Sequence, residues 1–426
     1  MTDSNFSNQG FVRRDNELWC EGISLAEIAS RTNTPAYVYS KAQITRNFLA
    51  YANALTNTPH LICYAMKANS TAGILQILAK LGAGADTVSG GEIARALRAG
   101  FSPEKIVYSG VGKTVTEIAY ALEKGIGCFN VESEPELELI NETAIQKGMR
   151  APISIRCNPN VDAKTHPYIS TGLKNNKFGI PIERVESLYL RAAQMPGINI
   201  KGIDAHIGSQ ITEIAPYLDS VSKLLDVMSA LRQKGLEFHH LDIGGGLGIR
   251  YCEEDLPPSP QELLTAIRHL MVQKGFEKTT LIVEPGRSII GNAGIMLTKV
   301  LFIKKGDARD FCIVDAAMTD LIRPALYSAW MNIEPVVLRQ QVKPMTMDVV
   351  GPVCESSDFL GRSRNLAVLP GDSLAVMDAG AYGASMASRY NSRLLPMEYL
   401  VDDDRLIPLR RPDTFDSMIE DDLLLD

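Results

Sequence analysis

Short apolar runs alternate with amphipathic segments over the first two thirds of the chain. The apolar runs, which predict strands, are Leu61–Met66, Ala83–Val88, Ile106–Ser109, Ile126–Val131, Pro152–Cys157, Ile200–Ile207, Phe238–Ile243 and Thr280–Glu284. Segments with a 3.6-residue apolar period predict helices, for example Lys41–Leu55, Ile74–Leu81, Ile93–Ala99, Glu117–Lys124, Glu134–Lys147 and Tyr217–Lys234. Eightfold strand–helix alternation predicts an α/β fold, a (β/α)8 TIM-like barrel over residues 40–290.

The pattern changes after this region. Strand-like segments follow one another without long helices between them, at Ile295–Ile303, Asp310–Val314, Thr346–Val350, Ser373–Met377 and Glu398–Val401. Ala36–Tyr39, near the N-terminus, has the same β-rich character. We therefore predict a mainly β C-terminal domain, residues 291–426, that also recruits the N-terminal segment, residues 1–39.

Polar and glycine residues fall where the predicted strands of the first region end. They are Lys67, Asp86, Asn158, His206, Gly244 and Glu284. A doubly wound open sheet has the same alternation of strands and helices. In a barrel, however, residues at the strand ends converge on one mouth, where such folds carry their chemistry. Their spread over most of the series favours the barrel.

Three of these positions suggest a cofactor chemistry. Lys67 follows an apolar strand and offers an amine that can form an imine with an aldehyde. The run Gly244–Gly246 permits close approach of backbone N–H groups to an anion such as a phosphate. A late acidic residue, Glu284, could keep a pyridine nitrogen protonated. Together they make pyridoxal 5'-phosphate the candidate cofactor, although a tight turn and an ion pair with Arg287 are the plainer interpretations.

Composition excludes several other classes. The 426 residues carry a net charge of −7, which argues against a nucleic-acid backbone as the main partner. No apolar run approaches the length of a membrane span, and Met1–Gln9 does not resemble a secretory signal. Seven scattered cysteines fit neither a disulfide framework nor a zinc site, so we expect no metal. The expectation is a cytoplasmic enzyme.

The motifs together closely resemble the fold-type III pyridoxal-phosphate decarboxylases, and among them the diaminopimelate decarboxylase family. The resemblance runs from about Pro35 to Tyr390. It rests on seven motifs in the family's order: Tyr64–Asn69, His206–Ser209, Gly244–Gly246, Glu284–Arg287, Arg323–Tyr327, Cys354–Asp358 and Gly380–Gly383. The stretch Tyr168–Gly172, continuing through Lys177–Gly179, is similar to the family's mobile loop.

The resemblance implies a role for each matching residue. Lys67 would be the Schiff-base lysine and Cys354 a proton donor delivered from a second subunit. The cofactor contacts implied are Lys67, Asp86, His206, Ser209, Gly245, Gly246, Glu284, Pro285, Gly286, Arg287 and Tyr382. The substrate contacts implied are Arg287, Arg323, Tyr327, Glu355 and Tyr382. The family also implies a homodimer with shared active sites.

The implied reaction is decarboxylation of meso-2,6-diaminopimelate to L-lysine, the last step of lysine biosynthesis. Sister decarboxylases for carboxynorspermidine, ornithine or arginine are the nearest alternative, but ornithine has no distal carboxylate for Arg323 to bind. A racemase is disfavoured, because Lys67 is not followed by Tyr-Gly-His-Gly. A non-catalytic homologue that binds a partner protein is the alternative from a different class.

Overall fold

The computed structural model describes residues 10–162 and 177–425, and these form two compact units. The barrel unit comprises Asn47–Ile249 and Leu256–Ser288. The β-rich unit comprises Met1–Arg46, Arg250–Asp255 and Ile289–Asp426. Met1–Gln9 and the Tyr168–Gly172 part of the loop motif lie outside the described residues. None of the described helices has the length and apolar character that crossing a bilayer requires.

The barrel unit alternates strands and helices along the chain. Its strands are β5 (His60–Ala65), β6 (Gly84–Thr87), β7 (Ile106–Tyr108), β8 (Cys128–Val131), β9 (Ala151–Asn158), β10 (Ile180–Pro181), β11 (Ile198–Asp204), β12 (His240–Asp242) and β13 (Thr280–Val283). Its helices are α3 (Ala72–Lys80), α4 (Gly90–Ala99), α5 (Val115–Lys124), α6 (Glu134–Gln146), α7 (Ile182–Ala192), α8 (Ala215–Gln233) and α9 (Pro260–Gln273). Two helices contain a boundary between the units, α2 (Lys41–Ala54) and the short α10 (Arg287–Ile290).

Eight parallel strands close into a barrel. The pairing runs β5–β6–β7–β8–β9–β11–β12–β13, and β13 pairs with β5 through Leu281 opposite His60. The small strand β10 adds to β9. All eight predicted strands belong to this ring, so the barrel prediction is confirmed and the open-sheet alternative is wrong. One boundary differs: the strand predicted over Ile200–Ile207 ends at Asp204, which leaves His206 in a loop.

Several barrel helices begin at side chains that cap free backbone N–H groups. Thr114 and Ser259 each form a reciprocal capping box, with Glu117 and Glu262 respectively. Ser133 caps α6, where proline occupies the first turn. These local signals end the loops before α5, α6 and α9 at defined residues, whereas α3, α7 and α8 begin without a side-chain cap from the described residues.

The β-rich unit begins with strands β1 (Phe11–Arg14), β2 (Glu17–Cys20) and β3 (Ile23–Ser24), helix α1 (Leu25–Arg31) and strand β4 (Ala36–Ser40). After the barrel come β14 (Gly294–Lys304), β15 (Asp310–Val314), α11 (Arg323–Tyr327), β16 (Ile333–Pro335), β17 (Met345–Val350), β18 (Phe359–Leu366), β19 (Ser373–Val376), β20 (Met397–Asp402), β21 (Arg405–Pro408) and α12 (Phe415–Ile419).

Strand β4 lies inside the larger sheet of this unit, between β14 and β20. All five of its residues are buried, which explains why this N-terminal segment is apolar on both faces. The predicted recruitment of the N-terminal segment is confirmed. The sequence analysis missed the N-terminal β1–β3 sheet and the strands β16, β18 and β21. These strands are either short or, like β18, rich in polar residues.

Candidate active site

The structure distributes the fifteen candidate residues between the two units. The barrel unit contains Lys67, Asp86, His206, Ser209, Gly245, Gly246, Glu284, Pro285, Gly286 and Arg287. The β-rich unit contains Arg323, Tyr327, Cys354, Glu355 and Tyr382.

Lys67 and Asp86 form an ion pair at the carboxyl end of the barrel. Strand β5 ends at Ala65, and a single 3-10 turn, Met66–Ala68, carries the lysine past the strand end. Asp86 on β6 is the neighbour of Ala65 across the sheet. The Nζ atom of Lys67 lies 3.0 Å from Oδ2 of Asp86, whose side chain is fully buried. The carboxylate therefore orients the amine at the barrel mouth.

The glycine run after β12 brings backbone close to two neighbouring loops. Gly246 has φ +99°, and a Cβ atom there would lie 2.3 Å from the carbonyl oxygen of Gly208. A Cβ atom on Gly245 would lie 2.1 Å from the carbonyl oxygen of Glu284. Only glycine fits these two positions, since a side chain would collide with backbone. The loop therefore has the open backbone that binding an anion requires.

His206 follows β11 and is half-buried. Its Nδ1 accepts a hydrogen bond from the N–H of Gly245 at 3.2 Å, so the ring proton of the neutral imidazole lies on Nε2. Burial lowers the pKa of His206 well below its ordinary value, and the positive charges of Lys67 and Arg156 lower this pKa further. A neutral, oriented imidazole is suited to stacking against an aromatic ring.

The Glu284–Arg287 segment packs against the loop that carries Lys67. The N–H of Ala65 donates to the carbonyl of Pro285 at 3.1 Å. A Cβ atom on Gly286 would lie 3.0 Å from Ala65 Cβ and from Ala68 Cβ. Arg287 begins α10 and donates to Ser209 Oγ at 2.9 Å. This segment therefore links the lysine strand to the loop after β11.

Glu284 is buried, and its Oε1 atom receives no hydrogen bond from an N–H or hydroxyl group within the described residues. Burial raises the pKa of Glu284 well above its usual range, and the neighbouring carboxylates of Asp242, Asp86 and Asp204 add to this effect. A buried carboxyl oxygen without a donor fits a ligand group that brings an N–H, such as a protonated pyridine nitrogen.

In the β-rich unit, Arg323 is buried. It begins α11, and its guanidinium carbon stands 4.6 Å from the ring centroid of Tyr251. Tyr327, at the end of the same helix, is half-buried. The planar guanidinium is thus held by an aromatic face, which suits bidentate binding of a carboxylate.

Cys354 and Glu355 are exposed in the β-rich unit. The backbone N–H of Cys354 donates to Oδ1 of Asn391 at 3.1 Å, and the hydroxyl of Tyr390 donates to Glu355 at 2.6 Å. Tyr382 has φ +56°, a conformation rare for residues other than glycine. Five of the other cysteines are buried, so Cys354 is the thiol most accessible to a ligand or partner.

The sequence analysis missed three buried charged residues below the barrel mouth, namely Arg156, Asp204 and Asp242. The register pairs Asp204 with Arg156 on one side and with Asp242 on the other. Directly paired residues in a sheet point to the same face, so the three form one row. The sequence did contain a signal for the two aspartates. Asp204 and Asp242 each end a strand two residues before a motif that the sequence analysis had recognised, His206–Ser209 and Gly244–Gly246 respectively.

Comparison with known proteins agrees with this arrangement. Residues 41–291 match the family model described as pyridoxal-dependent decarboxylase, pyridoxal binding domain. The chain is 50% identical to the diaminopimelate decarboxylase of Pseudomonas aeruginosa over 97% of its own length and 99% of the relative.

Solved structures of diaminopimelate decarboxylases are similar to this chain as well. The diaminopimelate decarboxylase of M. jannaschii in complex with L-lysine superposes with a TM-score of 0.93, 39% identity and 98% coverage of both chains. The Helicobacter pylori enzyme complexed with L-lysine has a TM-score of 0.89 and 41% identity, over 93% of this chain and 98% of that one. Near-complete coverage extends the likeness to both units. The chain therefore belongs to the pyridoxal-dependent decarboxylases, in the diaminopimelate decarboxylase family.

Proposed function

We propose that this chain catalyses the pyridoxal-phosphate-dependent decarboxylation of meso-2,6-diaminopimelate to L-lysine and CO2, the last step of lysine biosynthesis. The observation that carries the proposal is the Lys67–Asp86 pair at the barrel mouth, with Nζ and Oδ2 3.0 Å apart. The names of the curated relatives and the L-lysine in two related structures support the choice of substrate and product.

The barrel residues fit the cofactor at each of its polar ends. Gly245, Gly246 and Ser209 would hold the phosphate, since their loops approach one another without intervening side chains. Glu284 would face the pyridine nitrogen, because its Oε1 lacks a donor among the described residues. When bound, the cofactor supplies an electron sink for the carbanion that loss of CO2 leaves. Lys67 would attach it covalently through its amine.

The other barrel side chains would position the reacting groups. Asp86 holds the Lys67 amine at the mouth through the ion pair. His206 is kept neutral and is oriented by the Gly245 N–H, so its flat ring can cover one face of the cofactor. Pro285 and Gly286 keep the segment between Glu284 and Arg287 in close contact with Ala65 and Ala68.

The substrate has two amino-acid ends, and the candidate residues match the end that does not react. Arg287, Arg323 and Tyr327 would bind the distal carboxylate, and Glu355 the distal ammonium. Tyr382 would contact both cofactor and substrate. A guanidinium already stacked on Tyr251 loses little further freedom when it binds a carboxylate. Ornithine has no distal carboxylate to fill such a site.

The same proposal includes a homodimer in which Cys354 of one subunit serves the barrel of the other. Its support is the exposure of this thiol and of the neighbouring Glu355. A thiol can donate the proton that replaces the lost carboxyl group. The proposal also places the enzyme in the cytoplasm. Support comes from the seven cysteines, which are all free, as a reducing compartment would keep them.

The decisive experiment assays the purified chain, loaded with pyridoxal phosphate, in parallel with meso-diaminopimelate, ornithine and arginine as substrates. We expect L-lysine and CO2 in equal amounts from meso-diaminopimelate, and at least about a hundredfold lower kcat/KM with ornithine or arginine, equivalent to the loss of one buried charged contact. A preference for ornithine or arginine would favour a sister decarboxylase. Absence of any turnover in a chain that binds the cofactor would favour a non-catalytic homologue.

A further inference from the structure

Three carboxyl side chains meet below the barrel mouth. One oxygen from each of Asp204, Asp242 and Glu284 lies within 4.8 Å of the others, and all three residues are buried. The strand register produces this cluster. Asp204 on β11 pairs with Asp242 on β12, and Asp242 pairs in turn with Ile282 on β13. Glu284 follows Ile282 by two positions. We call these three residues the carboxyl cluster.

Few positive charges face the carboxyl cluster. Arg156 lies 3.9 Å from Asp204 but bonds Glu132 more closely, at 2.7 Å. Lys67 is paired with Asp86. The neutral imidazole of His206 also lies near the cluster. The remaining titratable neighbours among the described residues are thiols and a phenol whose pKa values burial raises, namely Cys63, Cys128, Cys157 and Tyr189. Two cations thus face five carboxyls, Asp86, Glu132 and the cluster, and the cluster must retain protons when it is buried.

The hydrogen bonds indicate where one proton resides. Asp242 accepts the N–H of Gly244 at 2.9 Å. This N–H stabilises the carboxylate form of Asp242, and Arg156, 3.9 Å away, stabilises that of Asp204. Oε1 of Glu284 has no N–H or hydroxyl donor among the described residues. Burial raises the pKa of Glu284, and the nearby carboxylate of Asp242 adds to this effect. Glu284 is therefore the member of the cluster that retains the proton.

We propose that Asp242 is a positioning residue that keeps a proton on Glu284 in the cofactor-free chain, and that Glu284 gives up this proton when the cofactor's pyridine nitrogen binds. The inference rests on the proposed cofactor site. In this step the O–H bond of Glu284 breaks. The proton moves to the ring nitrogen if that nitrogen arrives unprotonated, and to solvent if it arrives already protonated. The resulting carboxylate accepts the N–H of the ring.

A replacement of Asp242 by asparagine separates this role from packing. The asparagine side chain has nearly the same shape and still offers an oxygen to the Gly244 N–H. Its amide would donate to Glu284, which favours the carboxylate form. Glu284 would then be ionised before the cofactor binds. Whatever the protonation of the free cofactor, Asp242→Asn should release about one proton fewer on binding than the wild-type chain.

Isothermal titration calorimetry measures this number directly. The cofactor-free chain is titrated with pyridoxal phosphate at one neutral pH, in buffers of different ionisation enthalpy, and the slope of binding enthalpy gives the protons exchanged. We expect Asp242→Asn to differ from wild type by about one proton. The matched control is Asp219→Asn on α8, where a half-exposed carboxylate pairs with Lys223 outside the cluster. It should leave the proton number unchanged.

Glu284→Gln provides a second variant, because it removes the group that would release the proton. At a pH where the ring nitrogen of the free cofactor is already protonated and stays so beside the glutamine oxygen, this variant should release about one proton fewer than wild type, even if Asp242→Asn does not fold. Equal proton numbers in wild type and in the cluster variants that bind the cofactor would overturn the inference and leave the proposed function intact. Failure of the wild-type chain to bind pyridoxal phosphate would overturn both.

Discussion

Lys67 and Asp86 are joined by strand pairing as well as by charge. Ala65, two residues before the lysine, is the direct neighbour of Asp86 on the adjacent strand, and the lysine's Nζ returns to within 3.0 Å of the carboxylate. The lysine side chain is 39% exposed, whereas the aspartate is fully buried. The accessible amine of Lys67 is thus held by an ion pair with a buried carboxylate. This arrangement suits a reactive lysine better than a solvated surface residue.

Replacing Lys67 by alanine should abolish turnover and the yellow absorbance of the bound cofactor, with the fold unchanged. Only a side-chain amine can bind the cofactor covalently at this position. Steady-state assays and visible spectra measure the effect, and circular dichroism checks the fold. Lys80→Ala, at the exposed end of α3, is the matched control and should behave as wild type. Wild-type turnover by Lys67→Ala would disprove the assignment.

Replacing Gly246 by alanine should weaken cofactor binding by at least about tenfold, because its Cβ would press against backbone only 2.3 Å away. Gly235→Ala is the matched control, since that glycine also has positive φ but no atom within 4 Å of its Cβ position. The control should lose only about 1 kcal/mol of stability from backbone strain. Fluorescence titration with pyridoxal phosphate compares the two. Similar affinities would place Gly246 away from the phosphate.

Replacing Arg323 by lysine should raise the KM for diaminopimelate sharply. If both bonds to the carboxylate are lost, the transition state should lose about 2–3 kcal/mol of binding free energy. Arg362→Lys is the control, because this exposed arginine also stacks on an aromatic ring, that of Phe359, at 4.1 Å. Steady-state kinetics on both variants distinguish a specific contact from loss of stacking. Unchanged kcat and KM in Arg323→Lys would place the residue outside the substrate site.

The β-rich unit should lose stability as pH rises from about 4 to about 7. Burial raises the pKa of Asp378 to about 7, with Glu334 adding to the effect. The folded chain therefore binds more protons than the unfolded chain in this window, so the stability that protonation confers is lost as pH rises. Asp378→Asn should flatten the decline in Tm, whereas the exposed Asp416→Asn should not. Parallel Tm profiles for wild type and Asp378→Asn would contradict this.

Mixing two inactive variants should restore activity if sites are shared between subunits. Lys67→Ala and Cys354→Ala each destroy a different half of the proposed site. Random pairing places half of the chains in mixed dimers, each with one intact site, so about a quarter of wild-type activity should return. Native mass spectrometry would verify subunit exchange. If exchange occurs without recovery of activity, each chain completes its own site.

Much of the architecture follows from local sequence signals. Buried parallel strands need continuous apolar runs, and amphipathic helices need a 3.6-residue period. The eight barrel strands and the strands β4, β14, β15, β17, β19 and β20 of the β-rich unit were therefore predictable. Lys67, the Gly244–Gly246 run and Glu284 were recognisable because they stand directly after such strands.

Tertiary structure alone decided the remaining features, because they depend on pairings between distant segments. Only the β13–β5 pairing distinguishes a closed barrel from an open sheet, and it joins Leu281 to His60. The carboxyl cluster exists because register brings Asp204 opposite Asp242, and burial then sets their pKa values. A linear pattern states which residues are apolar or charged, but desolvation and charge coupling arise only once the neighbours are fixed in space.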